Sequence, residues 1–471
     1  MEPVFLNPNS ENIETSLMQT QKNLASFQEG AVGQIASYID KVRGTPSAEL
    51  TREAAIKCIF DLLAAAAAGI GDVGPIAIRR TLPAIFGNGI NPIWFTGTGS
   101  SVIGAAWANS SAAAALDLDD GNRFARGHPG AAIIPAAFAV GNDVGATFEE
   151  IITAIVIGYE VAVAVGAART SYGSSGTWTP YGVVATAAAL RGTPYPEIEH
   201  ALAIAGESAP NQAFAGGPAP RVPAPEGAAV KEGIPWSVVT GLTALYLAES
   251  GHTGPRNILD SGRHYQFPEH FSLGTADHIC GTYFKPYACC RHIHAPLAAL
   301  EYLSRQHDIV GQEIDSIEVE IHSAGLRISN RPDPENLIDV QYSIPYCLAL
   351  VSLYGSGSLL PVTAEVLGRT DVRALARKVK LSLCPKFDEV YPTDILARVA
   401  ITFKGKRFVS EPTAPEGEPL MSWGKLEKKF RIATELVASP VQANLIIDAV
   451  AAMRLGNMVP VCNCLSNLKL G

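Results

Sequence analysis

Residues 147–169 read TFEEIITAIVIGYEVAVAVGAAR. Whether this run sits in a bilayer or at the centre of a protein core decides what kind of molecule the chain builds. Thr147 and Glu150 have the spacing of a capping box, which opens a helix. Beyond them apolar residues cover every side of that helix, as in a membrane span or a fully buried core helix. Glu160 interrupts the run. Segments 47–70, 101–116, 129–140, 196–206 and 226–250 also carry helical patterning and are rich in Ala and Gly, so the apolar run has company to pack against. We therefore expect the core helix of a helical body and no membrane association.

Working outward, residues 30–271 contain almost no β-branched alternation; 92–96 is at most a short strand. After residue 260 the pattern changes. Segments 316–322, 379–384 and 398–403 alternate apolar and polar residues, as half-buried strands do, with helical text at 294–305 and 345–354 between them. Helical patterning returns over 420–453, where Trp423, Leu426 and Phe430 recur at helical spacing. The expected fold class is mainly α: a large helical domain (30–271) with a smaller α/β domain inserted late (272–411), then a return to the helical domain and a tail (412–471). The polar first 29 residues read as a flexible extension.

The 471 residues include 36 Lys and Arg against 45 Asp and Glu, a net charge of −9. An acidic chain without a basic block is a poor nucleic-acid or anionic-membrane binder, so any cationic site must be local. With 17% charged residues, much of the surface is expected in a core or a subunit interface. Eight scattered cysteines do not make a disulfide framework, and 1–29 lacks the basic start and apolar run of a leader. We expect reduced thiols and a cytoplasmic chain, with the mitochondrion as the alternative.

Four polar groupings interrupt the apolar text. Asp117 to Pro129 places Asp117, Asp119, Asp120, Arg123, Arg126 and His128 between two apolar helices, with His128 just ahead of a helix start where anions bind readily. Lys285 to Pro296 holds Cys289, Cys290, Arg291, His292 and His294; adjacent cysteines do not suit one tetrahedral ion, so we expect no metal and instead a turn feeding a helix with Pro296 in its first turn. Tyr342 to Tyr346 opens an apolar helix, Ser343 its cap and Tyr346 near its start. Lys231 lies in an apolar run, where its charge needs a partner. P-loop, HExxH and GxSxG motifs are absent from the sequence, and acid/base chemistry without a cofactor is the expectation.

These groupings lie in LDLDDGNRFARGHPGAAIIPAAFAVG (116–141), VKEGIPWSVVTGLTALYLAESGHTG (230–254), FKPYACCRHIHAPLAAL (284–300) and YSIPYCLAL (342–350). In that order they resemble the MmgE/PrpD family, which includes 2-methylcitrate dehydratases, cis-aconitate decarboxylases and iminodisuccinate epimerases. The resemblance implies that the α/β domain is a lid, that the chain forms a homodimer, and that the active site lies between the domains. It matches Asp117 to the first Asp of the family's D-x-D-D motif, His128 to its HP histidine, Lys231 to its lysine and Tyr346 to its lid tyrosine. Three positions depart. Gly121 stands where Thr is frequent, 174–179 lacks a histidine that decarboxylases carry, and Cys290 replaces a second one. Arg126 before Gly-His, with the long spacing from D-x-D-D, looks closest to the epimerase-like branch.

The expected function is a cofactor-independent lyase on a hydroxylated di- or tricarboxylate, first of all an alkylcitrate-type dehydratase. A dicarboxylate epimerase, a cis-aconitate-type decarboxylase and a non-catalytic homologue are the alternatives. His128 is assigned as acid/base, Asp117 as its orienter or partner base, and Tyr346 as proton donor. Lys231 is counted with these catalytic residues, holding a carboxylate. Arg126, Lys285, Cys290, Arg291 and His292 are the candidates for binding substrate.

Overall fold

The computed structural model describes residues 30–210, 226–268, 273–275, 277–417 and 420–471. The expected N-terminal extension lies outside them. The run quoted above forms the helix Phe148–Ala168, opened by the Thr147–Glu150 capping box, with the Thr147 backbone N–H donating to the Glu150 carboxylate at 2.7 Å. It is long and apolar enough to cross a membrane, yet most of it is buried inside the fold. Its one internal charge is accommodated: the Glu160 carboxylate accepts the N–H groups of His278 (2.5 Å) and Gly274 (3.3 Å). Burial still raises its pKa to about 7.

Against this helix pack Thr179–Arg191, Gly130–Val144, Glu49–Gly69 and Ala31–Val42, and Val102–Ala114, Tyr195–Glu207 and Ile234–Glu249 pack on those in turn. Small residues set the spacing. Gly158 faces Gly182 across the contact with Thr179–Arg191; a Cβ on Gly158 would overlap the Thr186 hydroxyl, and one on Gly182 would meet Ala162. The C-terminal text rejoins this body. Trp423–Thr434 lies against Glu49–Gly69, with Phe60 stacked on Phe430 at 5.1 Å and on Trp423 at 6.4 Å. Inside the same contact Lys429 donates to Asp61 at 2.5 Å and to the Leu118 carbonyl at 2.9 Å.

The four-stranded sheet is confined to later residues. Ile314–Ile321 runs parallel to Val379–Leu383 and antiparallel to Ala397–Phe403, which pairs in turn with Lys406–Val409. Arg291–Gln306 and Ile344–Tyr354 pack together beside it.

Several boundaries differ from expectation for local reasons. The helix expected over 226–250 is Ile234–Glu249, because Lys231, Glu232 and Gly233 take φ of 45°, 56° and 75°, which no α-helix accommodates. The return over 420–453 is two helices, Trp423–Thr434 and Pro440–Arg454, the second opened by its own Ser439–Gln442 capping box. The helix after Cys290 begins at Arg291, so Pro296 lies inside it and not in its first turn. The expected strand over 92–96 is Asn91–Ile93, paired with Thr98–Ser100.

Candidate active site

The loop after Val102–Ala114 carries Asp117 into the interior with a left-handed backbone (φ 53°). Two short pairings then fold the loop. Gly121–Asn122 pairs with Thr282–Tyr283, two residues before Lys285, and Asn122 exchanges backbone hydrogen bonds with Gly127. The first brings Lys285 to Asp117; the second returns the chain so that His128 lies beside Asp119 and Asp120. Gly121 is needed here, because the Tyr283 ring occupies the space a Cβ would take. That accounts for this chain's departure from the frequent Thr.

On Asp117 three donors converge. Lys285 Nζ lies 2.7 Å from one carboxylate oxygen; Lys231 Nζ (3.4 Å) and the Tyr342 hydroxyl (3.3 Å) reach the other. Lys231 also donates to Gln341 Oε1 at 2.8 Å and sits 5.1 Å from the Tyr342 ring centre. Burial alone would raise the Asp117 pKa, but the charges of Lys285, Lys231 and His128 outweigh it and hold the group far below the usual carboxylate range. For Lys285, fully buried, burial acts against the charge and Asp117 then Asp119 overcome it, so its pKa lies above the ordinary value.

His128 has Nε2 3.7 Å from Asp117, and Nδ1 3.3 Å from Asp119 Oδ2 and 2.8 Å from the Asp120 carbonyl. Burial works against its charge, but Asp119 foremost, with help from Asp117, raises its pKa to about 9. It is an imidazolium at neutrality. Its backbone N–H donates to Ser175 Oγ at 3.0 Å, and Ser175 donates in turn to Glu232 at 2.9 Å. Glu232 also accepts the Tyr342 hydroxyl at 3.2 Å. Behind the loop, Asp120 accepts Tyr159 Oη at 2.5 Å and the Gly130 N–H at 3.0 Å, yet burial raises its pKa to about 7.

The structure thus gathers Asp117, His128, Lys231 and Lys285 from positions far apart in sequence. Cys290 lies within reach of the charges of Asp117, Lys285 and Glu232; its backbone N–H donates to the Gln341 carbonyl at 2.8 Å, and burial pushes its thiol up. Tyr346 is a correction. Its hydroxyl donates to the Val366 carbonyl at 2.5 Å in the core, and the tyrosine that meets the cluster is Tyr342. Ser343 caps the helix, so Tyr342 precedes it and faces the site, whereas Tyr346 lies within its first turn. Arg291 is turned elsewhere: its guanidinium donates to the Glu416 carbonyl at 2.6 Å and lies 4.2 Å from the Tyr283 ring centre. Arg126 donates to the Arg169 carbonyl at 3.3 Å, and His292 packs 4.9 Å from His322. Asp119 and Tyr342 belong to the polar groupings of the sequence but carry no assigned role there, and Glu232, Gln341 and Ser175 have no signal of their own beyond Glu232 adjoining Lys231 and Gln341 adjoining Tyr342.

The Cys and His side chains of residues 289–294 do not converge on one point. Cys289 faces His294 Nε2 at 3.5 Å in the core, while Cys290 points toward the Asp117 side. Among the described residues no group of three or more His, Cys, Asp or Glu side chains could hold a metal ion.

Set beside known proteins, residues 33–273 match the MmgE/PrpD N-terminal domain and residues 287–455 the MmgE/PrpD C-terminal domain. Two curated cis-aconitate decarboxylases of Aspergillus terreus, one of them from strain NIH 2624 / FGSC A1156, are each 28% identical over 412 residues, 77% of this chain and 81% of theirs. Asp117, His128 and Lys231 come from the first matched segment and Gln341 and Tyr342 from the second. The cluster therefore draws on both domains of one known architecture, in family order, and the chain belongs to the MmgE/PrpD family.

Proposed function

We propose that the protein is a lyase acting on a hydroxylated di- or tricarboxylate, removing water by acid/base proton transfer without a cofactor. The observation that carries this is the pair of buried ammonium groups, Lys231 and Lys285, closing on Asp117 beside a charged His128. Such a site offers cations to substrate carboxylates and a proton to a leaving hydroxyl, the two things β-elimination of water from a carboxylic acid needs besides a base. His128 donates the proton as the C–O bond breaks, and the hydroxyl leaves as water. Lys231 and Lys285 hold the carboxylate next to the developing carbanion. Asp117 has too little proton affinity to serve as base and instead anchors the two lysines; Asp119, facing Nδ1, orients His128. Glu232, hydrogen-bonded by Ser175 and Tyr342 and paired with no Lys or Arg among the described residues, takes the α-proton.

A second reading, decarboxylation, is favoured by the likeness to cis-aconitate decarboxylases and by the site's supply of proton donors. There the bond to a carboxylate carbon breaks, carbon dioxide leaves, and His128 protonates the carbanion. Incubation with alkylcitrates and cis-aconitate in deuterated water, followed by NMR, separates the two. Water loss from an alkylcitrate is the expected result, and carbon dioxide release would install the second reading. Deuterium exchange without net conversion would point to epimerisation, and no reaction with any of these acids would sink the lyase reading.

A further inference from the structure

We propose that His292 and His322 form a second subsite beside the Asp117 cluster, one that takes the substrate carboxylate farthest from the bond that breaks. The inference rests on the carboxylate-lyase reading above and names residues that reading does not use. His322 follows the strand Ile314–Ile321 and is completely buried, and neither of its ring nitrogens has a hydrogen-bond partner among the described residues. His292 stands in the first turn of Arg291–Gln306 with Nδ1 buried and likewise unpartnered. The two rings meet edge to face, 4.9 Å between centres, and Tyr391 stacks on His322 at 4.4 Å and 11°.

Folded proteins seldom leave buried polar atoms unpaired, and three such nitrogens in one place point to a ligand. The surrounding charges say which kind. Arg327 bears on both histidines, Arg291 and Asp117 on His292, and Arg126 and Arg327 on Tyr391. Asp388 is the acidic group facing His322, and it already accepts the Ser323 N–H at 2.8 Å. Burial, with these guanidinium groups, keeps both imidazoles uncharged at neutrality. Each therefore offers one N–H to a carboxylate in a positive field, His292 from the first turn of a 16-residue helix and His322 from the end of the strand. Cys290 joins the two places, feeling Asp117 and Lys285 on one side and bearing on Tyr391 on the other.

The test compares two probes by calorimetry: tricarballylate, and methylsuccinate, which lacks one terminal carboxylate. We expect the wild-type protein to bind tricarballylate about ten-fold more tightly or better. His322→Leu should lose most of that preference while holding methylsuccinate about as well as before, and His322→Asn, which keeps a donor, should retain part of it. Lys231→Met should weaken both probes alike. In the wild-type protein, ¹⁵N NMR of the histidine rings should show His292 and His322 shifting with tricarballylate and not with methylsuccinate, a readout independent of any variant's folding. Equal affinity for the two probes, unmoved ring signals, or a folded His322→Leu that keeps its preference would each overturn the subsite alone. A wild-type protein that binds neither probe would remove the carboxylate reading, and this inference with it.

Discussion

In the proposed reaction proton transfer turns on His128, because Asp119 and Asp117 keep it charged well above its ordinary range. If it acts as the acid, His128→Gln should fold normally and lose about 100-fold or more in kcat. In the wild-type protein kcat should fall as pH rises through about 9, where the imidazolium is lost. Near-normal turnover in the folded variant would end the assignment. The two tyrosines provide a paired test at the same scale. Tyr342→Phe removes a hydroxyl bonded to Asp117 and Glu232 and should lower kcat. Tyr346→Phe leaves the Val366 carbonyl unpaired, which should cost about 1 kcal/mol of stability and leave kcat unchanged. Equal kinetic effects from both would show that phenol position is irrelevant. The sequence brings both tyrosines into view. It does not reveal which faces the site, because that depends on the Ser343 cap reorienting the chain between them. Lys231 is similar: its need for a partner is legible, while the left-handed turn that aims it is not, since Lys and Glu carry no signature for positive φ.

At the level of elements, the helical body depends on close approach more than on large side chains. Gly158 on Phe148–Ala168 is the tightest test, since an added methyl would overlap the Thr186 hydroxyl. Gly158→Ala should lower stability by about 1–3 kcal/mol through overpacking, despite the better helix propensity of Ala. A thermal melt at or above the wild-type midpoint would show that the two helices can slide apart freely. Elements were the most legible level. The capping box at Thr147 and the alternation before His322 are short-range patterns, and the structure places a helix and a strand there. The split after Thr434 and the early start at Arg291 escaped because helix ends depend on where capping groups and tertiary partners lie.

For the whole molecule, buried titratable groups set how stability follows pH. Asp61, Asp120 and Glu160 are raised to about 6, 7 and 7, and His128 to about 9. A raised group contributes stability that is full below its unfolded pKa and lost as pH climbs through its folded one. His292, His294 and His322 are lowered, so they contribute above about 6.5 and lose that contribution as pH falls, His322 through about 4. Between pH 4.5 and 6.5 the two sets oppose each other. From about 6.5 to 9 the loss at His128, with the upper ends of the Asp120 and Glu160 titrations, acts unopposed. Melting scans should therefore show Tm nearly level over the acidic window and declining from pH 6.5 to 9. A Tm that rises over that interval would contradict these assignments.

The Asp117–Lys285 contact spans 168 positions, and this has a consequence for the order in which the protein matures. On the ribosome the first residue emerges long before the second, while the helical body can begin to assemble around the loop that carries the carboxylate. Until the later segment arrives, that loop holds an acid lacking one of its two ammonium partners in a place that excludes water. It therefore cannot close before Lys285 has emerged, and Tyr342 and Lys429 complete its surroundings later still. Chemical competence is tied to completion of the polypeptide, and a chain cut short before Lys285 would be left with an open and chemically inert loop at its centre.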